Sequence, residues 1–112
     1  MFSNKNSKQK SEDLKKILDR KGIISMPGCF DALSAKLIEK EGIEVGFMSG
    51  FSVSSTKLGM PDTGLISFAE MLEQVKNISN ATSIPFIFDG DTGYGNSVNV
   101  YRTVRGYANA GA

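Results

Sequence analysis

The segment Ile84-Pro85-Phe86-Ile87-Phe88 constrains the fold more than any other part of the chain. It is short, almost wholly apolar and lacks polar alternation, which predicts a strand covered on both faces, as in a parallel sheet flanked by helices. Pro85 fits near its start, where a missing N–H is tolerated. Two earlier runs repeat the pattern. Ile23-Ile24-Ser25-Met26 reads as a buried strand stopping at Pro27-Gly28, and Val45-Gly46-Phe47-Met48 as a second, closed by Ser49-Gly50.

Helical spacing fills the intervals. Ser11 is the expected N-cap of a first helix with Leu14, Ile17 and Leu18 as its apolar stripe and Gly22 as its stop. A second helix is expected over about Phe30–Lys40, with Phe30, Leu33, Leu37 and Ile38 on one face and Gly42 beyond its end. Ser67 and Glu70 form a capping box ahead of Phe68, Met71, Leu72, Val75 and Ile78. A last helix, about Ser97–Asn109, is expected to bury Val100, Val104, Tyr107 and Ala108. The stretch from Ser49-Gly50 to about Ile66 reads as a long loop, and long loops in compact domains are usually functional or disordered. A helix followed by three strand–helix units predicts an α/β fold with right-handed crossovers. A doubly wound sheet and a barrel both remain open on this pattern. Residues 1–12 are expected to be a flexible polar terminus and residues 13–112 the folded part.

The absence of histidine removes Ser-His and Cys-His nucleophilic chemistry and His-ligated zinc from these 112 residues. Cys29 is the single cysteine, so no intrachain disulfide forms; a lone cysteine is more often a small buried residue than a nucleophile. With 40% apolar residues and a net charge of +1, nothing favours nucleic acid or an anionic membrane as partner. No run suits a signal peptide or a membrane span, so a cytoplasmic protein is expected.

Chemistry concentrates at the end of the third strand, in Asp89-Gly90-Asp91-Thr92-Gly93-Tyr94-Gly95-Asn96. If strand conformation holds through Gly90, the Asp89 and Asp91 carboxylates point the same way and repel unless a cation or proton sits between them. Mg²⁺ suits such an oxygen site. The alternative is a plain turn, since Asp, Gly, Thr and Asn are all turn residues. An EF-hand is excluded because Tyr94 and Val100 stand where Gly and Glu are required. A dinucleotide fingerprint fails at Val98. Backbone N–H groups of Ser49-Gly50-Phe51-Ser52 are candidate holders of a carboxylate or phosphate oxygen, or simply a strand-ending turn. Asp62, in Pro61-Asp62-Thr63-Gly64, means little alone, and Lys57, Arg102 and Arg105 read as solvated surface charges.

Taken in order, Met26 through Ala35, Met48-Ser49-Gly50, Leu58 through Leu65, Asp89 through Asn96 and Asn99 through Arg105 resemble the isocitrate lyase and phosphoenolpyruvate mutase superfamily. The resemblance runs from about Leu14 to Ala112. It implies the N-terminal part of a TIM-type (β/α)₈ barrel, a fold of about 250 residues, usually in a homotetramer. It further implies Mg²⁺ (Mn²⁺ as a substitute), a small carboxylate substrate and an enolate. Asp89 and Asp91 would hold the metal, with Asp62 beside it, a catalytic position. Ser49, Gly50, Phe51 and Asp89 would contact substrate.

The branch most similar contains 2-methylisocitrate lyase, 2,3-dimethylmalate lyase and carboxyvinyl-carboxyphosphonate phosphonomutase. The implied reaction is carbon–carbon cleavage of a substituted malate or isocitrate through a metal-bound enolate. Phosphonomutase, phosphonopyruvate hydrolase and oxaloacetate decarboxylase chemistry are alternatives on the same scaffold, as is a non-catalytic fragment. Two departures stand out: Phe47 where methylisocitrate lyases carry Tyr, and Gly90 where Ala is usual. The family's Lys-Lys-Cys-Gly-His loop, which separates lyases from the rest, has no counterpart in these residues.

Overall fold

Three short strands form a parallel sheet in the order β1-β2-β3. The computed structural model describes residues 5–112. The elements run α1 (Ser7–Leu18), β1 (Gly28–Cys29), α2 (Ala32–Lys40), β2 (Gly46–Met48), α3 (Gly50–Leu58), α4 (Phe68–Ala81), β3 (Phe86–Phe88) and α5 (Ser97–Asn109). Gly28 pairs with Phe47, and Phe47 with Ile87, so the carboxyl ends of all three strands lie on one edge. The sheet is open, an α/β piece of the TIM-type architecture rather than a closed barrel.

Gly46 makes room for an aromatic ring between β2 and β3. A Cβ there would lie 2.1 Å from the Phe86 ring, its register partner, so only glycine admits that aromatic side chain. Above the sheet, Met71, Val75 and Ile78 of α4 are fully or almost fully buried with Ile38, Met48 and Val53. Each such side chain contributes about 1.5–3 kcal/mol by leaving water. The capping box of α4 forms as expected: the Ser67 hydroxyl accepts from the Glu70 N–H at 3.2 Å, and the Glu70 carboxylate accepts from the Ser67 N–H at 2.8 Å.

Several expectations are corrected. The first helix starts at Ser7, not after Ser11, because Asn6 and Gln9 make a reciprocal capping box that the side-chain pattern around Ser11 cannot match. Ser7–Glu12, placed in the polar terminus from sequence, are helical; residues 1–4 of that terminus lie outside the described residues. The same helix ends at Leu18, with Gly22 in the following turn at φ 107°. The first strand is Gly28–Cys29 rather than Ile23–Met26. The Phe47 N–H bonds to Pro27 O at 3.0 Å, so the ladder begins there, and Ile23 is fully exposed.

The expected long loop contains α3. Ser49 caps its start and Gly59, at φ 62°, closes its end, while Val53 and Ser54 are buried. In α2 the buried positions are Ala35 and Ile38, whereas Leu33 and Leu37 face outward. In α5, Thr103 and Tyr107 are buried; Val100, Val104 and Ala108 instead line an open apolar cleft beside Phe88 at the free edge of β3.

Lys10 was not singled out by sequence, yet it is buried. Its ammonium donates to Ser79 O and Thr82 O, both at 2.7 Å, at the carboxyl end of α4, where unpaired carbonyls favour a cation. Burial lowers its pKa.

Candidate active site

Asp89 follows β3 directly, and its backbone and side chain join three elements. Its N–H continues the ladder to Met48 O at 3.1 Å. One carboxylate oxygen, Oδ2, accepts from the Gly50 N–H at 3.0 Å, in the first turn of α3. The other, Oδ1, accepts from the Asp91 N–H at 2.8 Å, an Asx turn. Its carbonyl accepts from the Tyr107 hydroxyl at 3.0 Å. The carboxylate is thus oriented by two N–H donors, one of them at a helix N-terminus whose dipole favours negative charge. Gly50 is required for this approach: a Cβ there would stand 2.7 Å from Asp89 Oδ2.

Asp91 does not continue the strand. It has φ 50°, in the left-handed region that Asp tolerates better than most residues, and it is exposed. The period-of-two argument for a carboxylate pair therefore fails, because β3 ends at Phe88. What links the two aspartates is the Asx turn, in which the Asp91 N–H, rather than its carboxylate, meets Asp89 Oδ1. Gly93 N–H closes a second turn onto Gly90 O at 2.9 Å.

The expected carboxylate-holding amides have different occupations. Ser49 N–H is bound to Cys29 O at 3.0 Å and Gly50 N–H to Asp89. Phe51 N–H lies in the first turn of α3, where no intrahelical acceptor exists. The Ser49 hydroxyl accepts from Ser52 N–H at 3.3 Å and keeps its own proton to donate. Asp62 sits exposed between α3 and α4; among the described residues no hydrogen bond or ion pair connects it with Asp89 or Asp91.

Cys29 is fully buried in the core, and burial together with the charge of Asp31 pushes its thiol up to about 12, so it is no nucleophile at neutral pH. Lys57, Arg102 and Arg105 are exposed as expected; Lys57 also pairs with Glu73, and Arg102 lies over the Phe68 ring at 5.3 Å.

Sequence reasoning missed the aromatic support beneath the turn. Tyr107 stacks on Phe68 with centroids 6.2 Å apart, and Tyr94 tilts against the same ring at 5.9 Å. Tyr94 takes φ 61°, unusual for a bulky residue. Its hydroxyl is buried beside that of Tyr107, but the two make no hydrogen bond of acceptable geometry. Burial raises the pKa of both phenols, and the charges of Asp89 and Asp91 raise it further. The signal available in the sequence was the Thr103/Tyr107 spacing of four, which puts both on one helix face.

Residues 14–112 match the phosphoenolpyruvate phosphomutase family. The chain belongs to this family. It is 43% identical over 98 residues to the chloroplastic carboxyvinyl-carboxyphosphonate phosphorylmutase of Arabidopsis thaliana, covering 87% of this chain and 29% of that protein. Identity to 2,3-dimethylmalate lyase of Eubacterium barkeri is 42% over 98 residues, covering 88% and 34%. Among solved structures, a phosphonopyruvate hydrolase in complex with oxalate and Mg²⁺ superimposes with a TM-score of 0.85 at 37% identity, covering 92% of this chain and 36% of that one. The chain therefore spans about a third of the length of these relatives. Members of the superfamily include phosphonomutases, 2,3-dimethylmalate lyase, oxaloacetate decarboxylases and phosphonopyruvate hydrolase, all acting on small carboxylates. No helix among the described residues is long and apolar enough to cross a membrane.

A divalent cation fits what is present, in part. Asp89 offers an oriented carboxylate with lone pairs beyond its two N–H bonds, and Asp91 adds a second in the same turn. Mg²⁺ typically takes one or two carboxylates and completes its shell with water and substrate oxygens. Among the described residues no group of three or more His, Cys, Asp or Glu gathers to hold an ion.

Proposed function

We propose that this chain is the amino-terminal, carboxylate-bearing part of a Mg²⁺-dependent carbon–carbon lyase of the methylisocitrate lyase type, cleaving a substituted malate or isocitrate. The single observation that carries this reading is the Asp89 carboxylate bridging the end of β3 and the start of α3, at the carboxyl edge of a parallel sheet, where α/β enzymes bind ligands. Asp89 and Asp91 would hold Mg²⁺ or Mn²⁺, directly or through water, with Asp62 brought beside them. When bound, such a cation supplies Lewis-acid stabilisation of developing oxygen charge.

The chain's own groups bind and orient. Phe51 N–H and the Ser49 hydroxyl offer donors to a substrate carboxylate at the positive end of α3, and Gly50 keeps that approach open. Phe47, lacking a hydroxyl, cannot make the polar contact that a tyrosine would make there. Residues 13–112 would be the barrel portion of a cytoplasmic homotetramer, with neither nucleic acid nor membrane as partner.

The second reading on the same scaffold is phosphonomutase, phosphonopyruvate hydrolase or oxaloacetate decarboxylase activity, favoured by the similarity to relatives with those names. The 112-residue chain by itself is expected to be non-catalytic, because its three strands leave sheet edges unpaired and the loop that separates the lyases by resemblance has no counterpart in it. Measurable Mg²⁺-dependent cleavage of methylisocitrate by the purified chain would refute that. In the full-length enzyme, a panel of methylisocitrate, 2,3-dimethylmalate, oxaloacetate and phosphonopyruvate separates the two readings. Asp89→Ala should abolish Mg²⁺-dependent turnover of whichever acid is used. A variant with the wild-type rate would sink the site assignment.

A further inference from the structure

We infer that Thr103 and Tyr107 of α5 are positioning residues that set where the Asp89 carboxylate sits. The inference rests on the reading of Asp89 as a site carboxylate only for its purpose, not for its geometry. Both side chains are more than nine-tenths buried, at 5% and 7% relative exposure. Both are polar, although the apolar residues Val100 and Val104 of the same helix are left on its open side. The Thr103 hydroxyl donates to Gly93 O at 2.9 Å, and the Tyr107 hydroxyl to Asp89 O at 3.0 Å. Four residues apart, they lie one turn from each other on one helix face.

The two carbonyls they hold mark the two ends of the site turn. Between them lie the Asx bond from Asp91 N–H to Asp89 Oδ1, the Gly93–Gly90 turn and the left-handed Asp91. The hydroxyls therefore tie both ends of that turn to α5, and the Asp89 side chain leaves it toward Gly50. Helix α5 is itself braced against α4. Tyr107 stacks on Phe68 with rings 14° from parallel, and a Cβ at Gly106 would meet the Phe68 ring at 2.8 Å, so the helices touch there. A buried hydroxyl that only filled space would be replaceable by its apolar isostere with little effect on a distant amide. A hydroxyl that positions Asp89 transmits its loss to Gly50, on another element.

The test is amide hydrogen exchange by NMR on the metal-free chain carrying Tyr107→Phe and, separately, Thr103→Val. Phe keeps the ring stacked on Phe68, and Thr103→Val is the second route should Tyr107→Phe not fold. The Gly50 and Asp91 amides should exchange about tenfold faster in each variant, as expected when one buried hydrogen bond is removed. Amides of Val75 and Ile78 in α4 should be unchanged. Thr103→Ser, which retains the hydroxyl, should restore wild-type exchange, and Tyr101→Phe, altering an exposed phenol on α5, should have no effect. Wild-type exchange at Gly50 and Asp91 in both variants would overturn the inference. So would equal acceleration at Val75 and Ile78, which would mark a general loss of stability. A parallel titration of the wild-type chain with Mn²⁺ should broaden the Asp91 and Gly50 resonances. If it does not, the metal reading fails while the exchange result stands, so the two failures are distinguishable.

Discussion

Replacing Gly50 by alanine separates two physical effects of opposite sign. Gly50 opens α3, and Ala is favoured over Gly within a helix by about 0.8–1.0 kcal/mol, less at the first turn. Propensity alone therefore predicts a slightly more stable protein. Packing predicts the reverse. The new Cβ would lie 2.7 Å from Asp89 Oδ2 and 3.1 Å from its Cγ, inside the 3.4–4 Å of ordinary contact. The carboxylate cannot simply swing aside, since Oδ1 is held by Asp91 N–H and Oδ2 by Gly50 N–H. Relief requires breaking at least one hydrogen bond to a charged acceptor, which costs about 1.5–3 kcal/mol. The net effect is a loss of about 1–2 kcal/mol, or roughly 5–10 °C in Tm for a domain of this size. Urea and thermal denaturation followed by far-UV circular dichroism measure it. A Gly50→Ala variant as stable as the wild type, or more so, would show that the Asp89–Gly50 contact contributes nothing and would refute the reasoning.

Two other predictions concern the scaffold. Ser67→Ala removes the hydroxyl that accepts from Glu70 N–H at the head of α4, and should lower stability by about 1 kcal/mol; an unchanged urea midpoint would contradict it. Cys29 gives a pH dependence: its folded thiol titrates at about 12, against an ordinary 9.0. Above pH 9 the unfolded chain releases a proton that the fold retains, so stability is full below that pH and falls as pH rises toward 12, by up to about 1.4 kcal/mol per unit. Tyr94 and Tyr107, also raised, act in the same direction above pH 10. Cys29→Ala should show a shallower alkaline decline in urea midpoints; a slope identical to wild type would refute the assignment.

The elements legible from sequence were those whose signals are local. Helix α4 announces itself by Ser67 and Glu70, and α5 runs over Ser97–Asn109 as expected, from an Asn96 cap. Helix α3 was hidden because Gly50-Phe51-Ser52-Val53-Ser54-Ser55-Thr56 has poor intrinsic propensity, and its Ser49 cap, its Gly59 stop and the burial of Val53 against the rest of the chain support it instead. Helix faces were misassigned for another reason. Periodicity gives the angle between residues on a helix but not what lies opposite, so Leu33, Leu37, Val100 and Val104 read as core, whereas Ala35 and Thr103 fill it alongside the expected Ile38 and Tyr107. Pairing partners are equally invisible locally, which is why β1 begins at Gly28 instead of at the apolar Ile23.

Candidate residues could be named from the sequence, but not the hydrogen bonds that join them. Ser49, Gly50 and Phe51 read as one run of carboxylate-holding amides, yet the fold assigns them separate tasks: the sheet ladder takes the first and Asp89 the second. On the proposed function, a substrate carboxylate at α3 would be left with Phe51 N–H and the Ser49 hydroxyl, unless it displaced Asp89 from Gly50. Both oxyanions favour the same helix N-terminus, and like charges at one donor exclude each other without a cation between them. On the proposed function, the placement of Asp89 by Tyr107, Thr103 and Gly50 would bear on carboxylate recognition as much as on metal binding. That coupling follows from a single 3.0 Å contact between β3 and α3, which no spacing in the sequence could disclose.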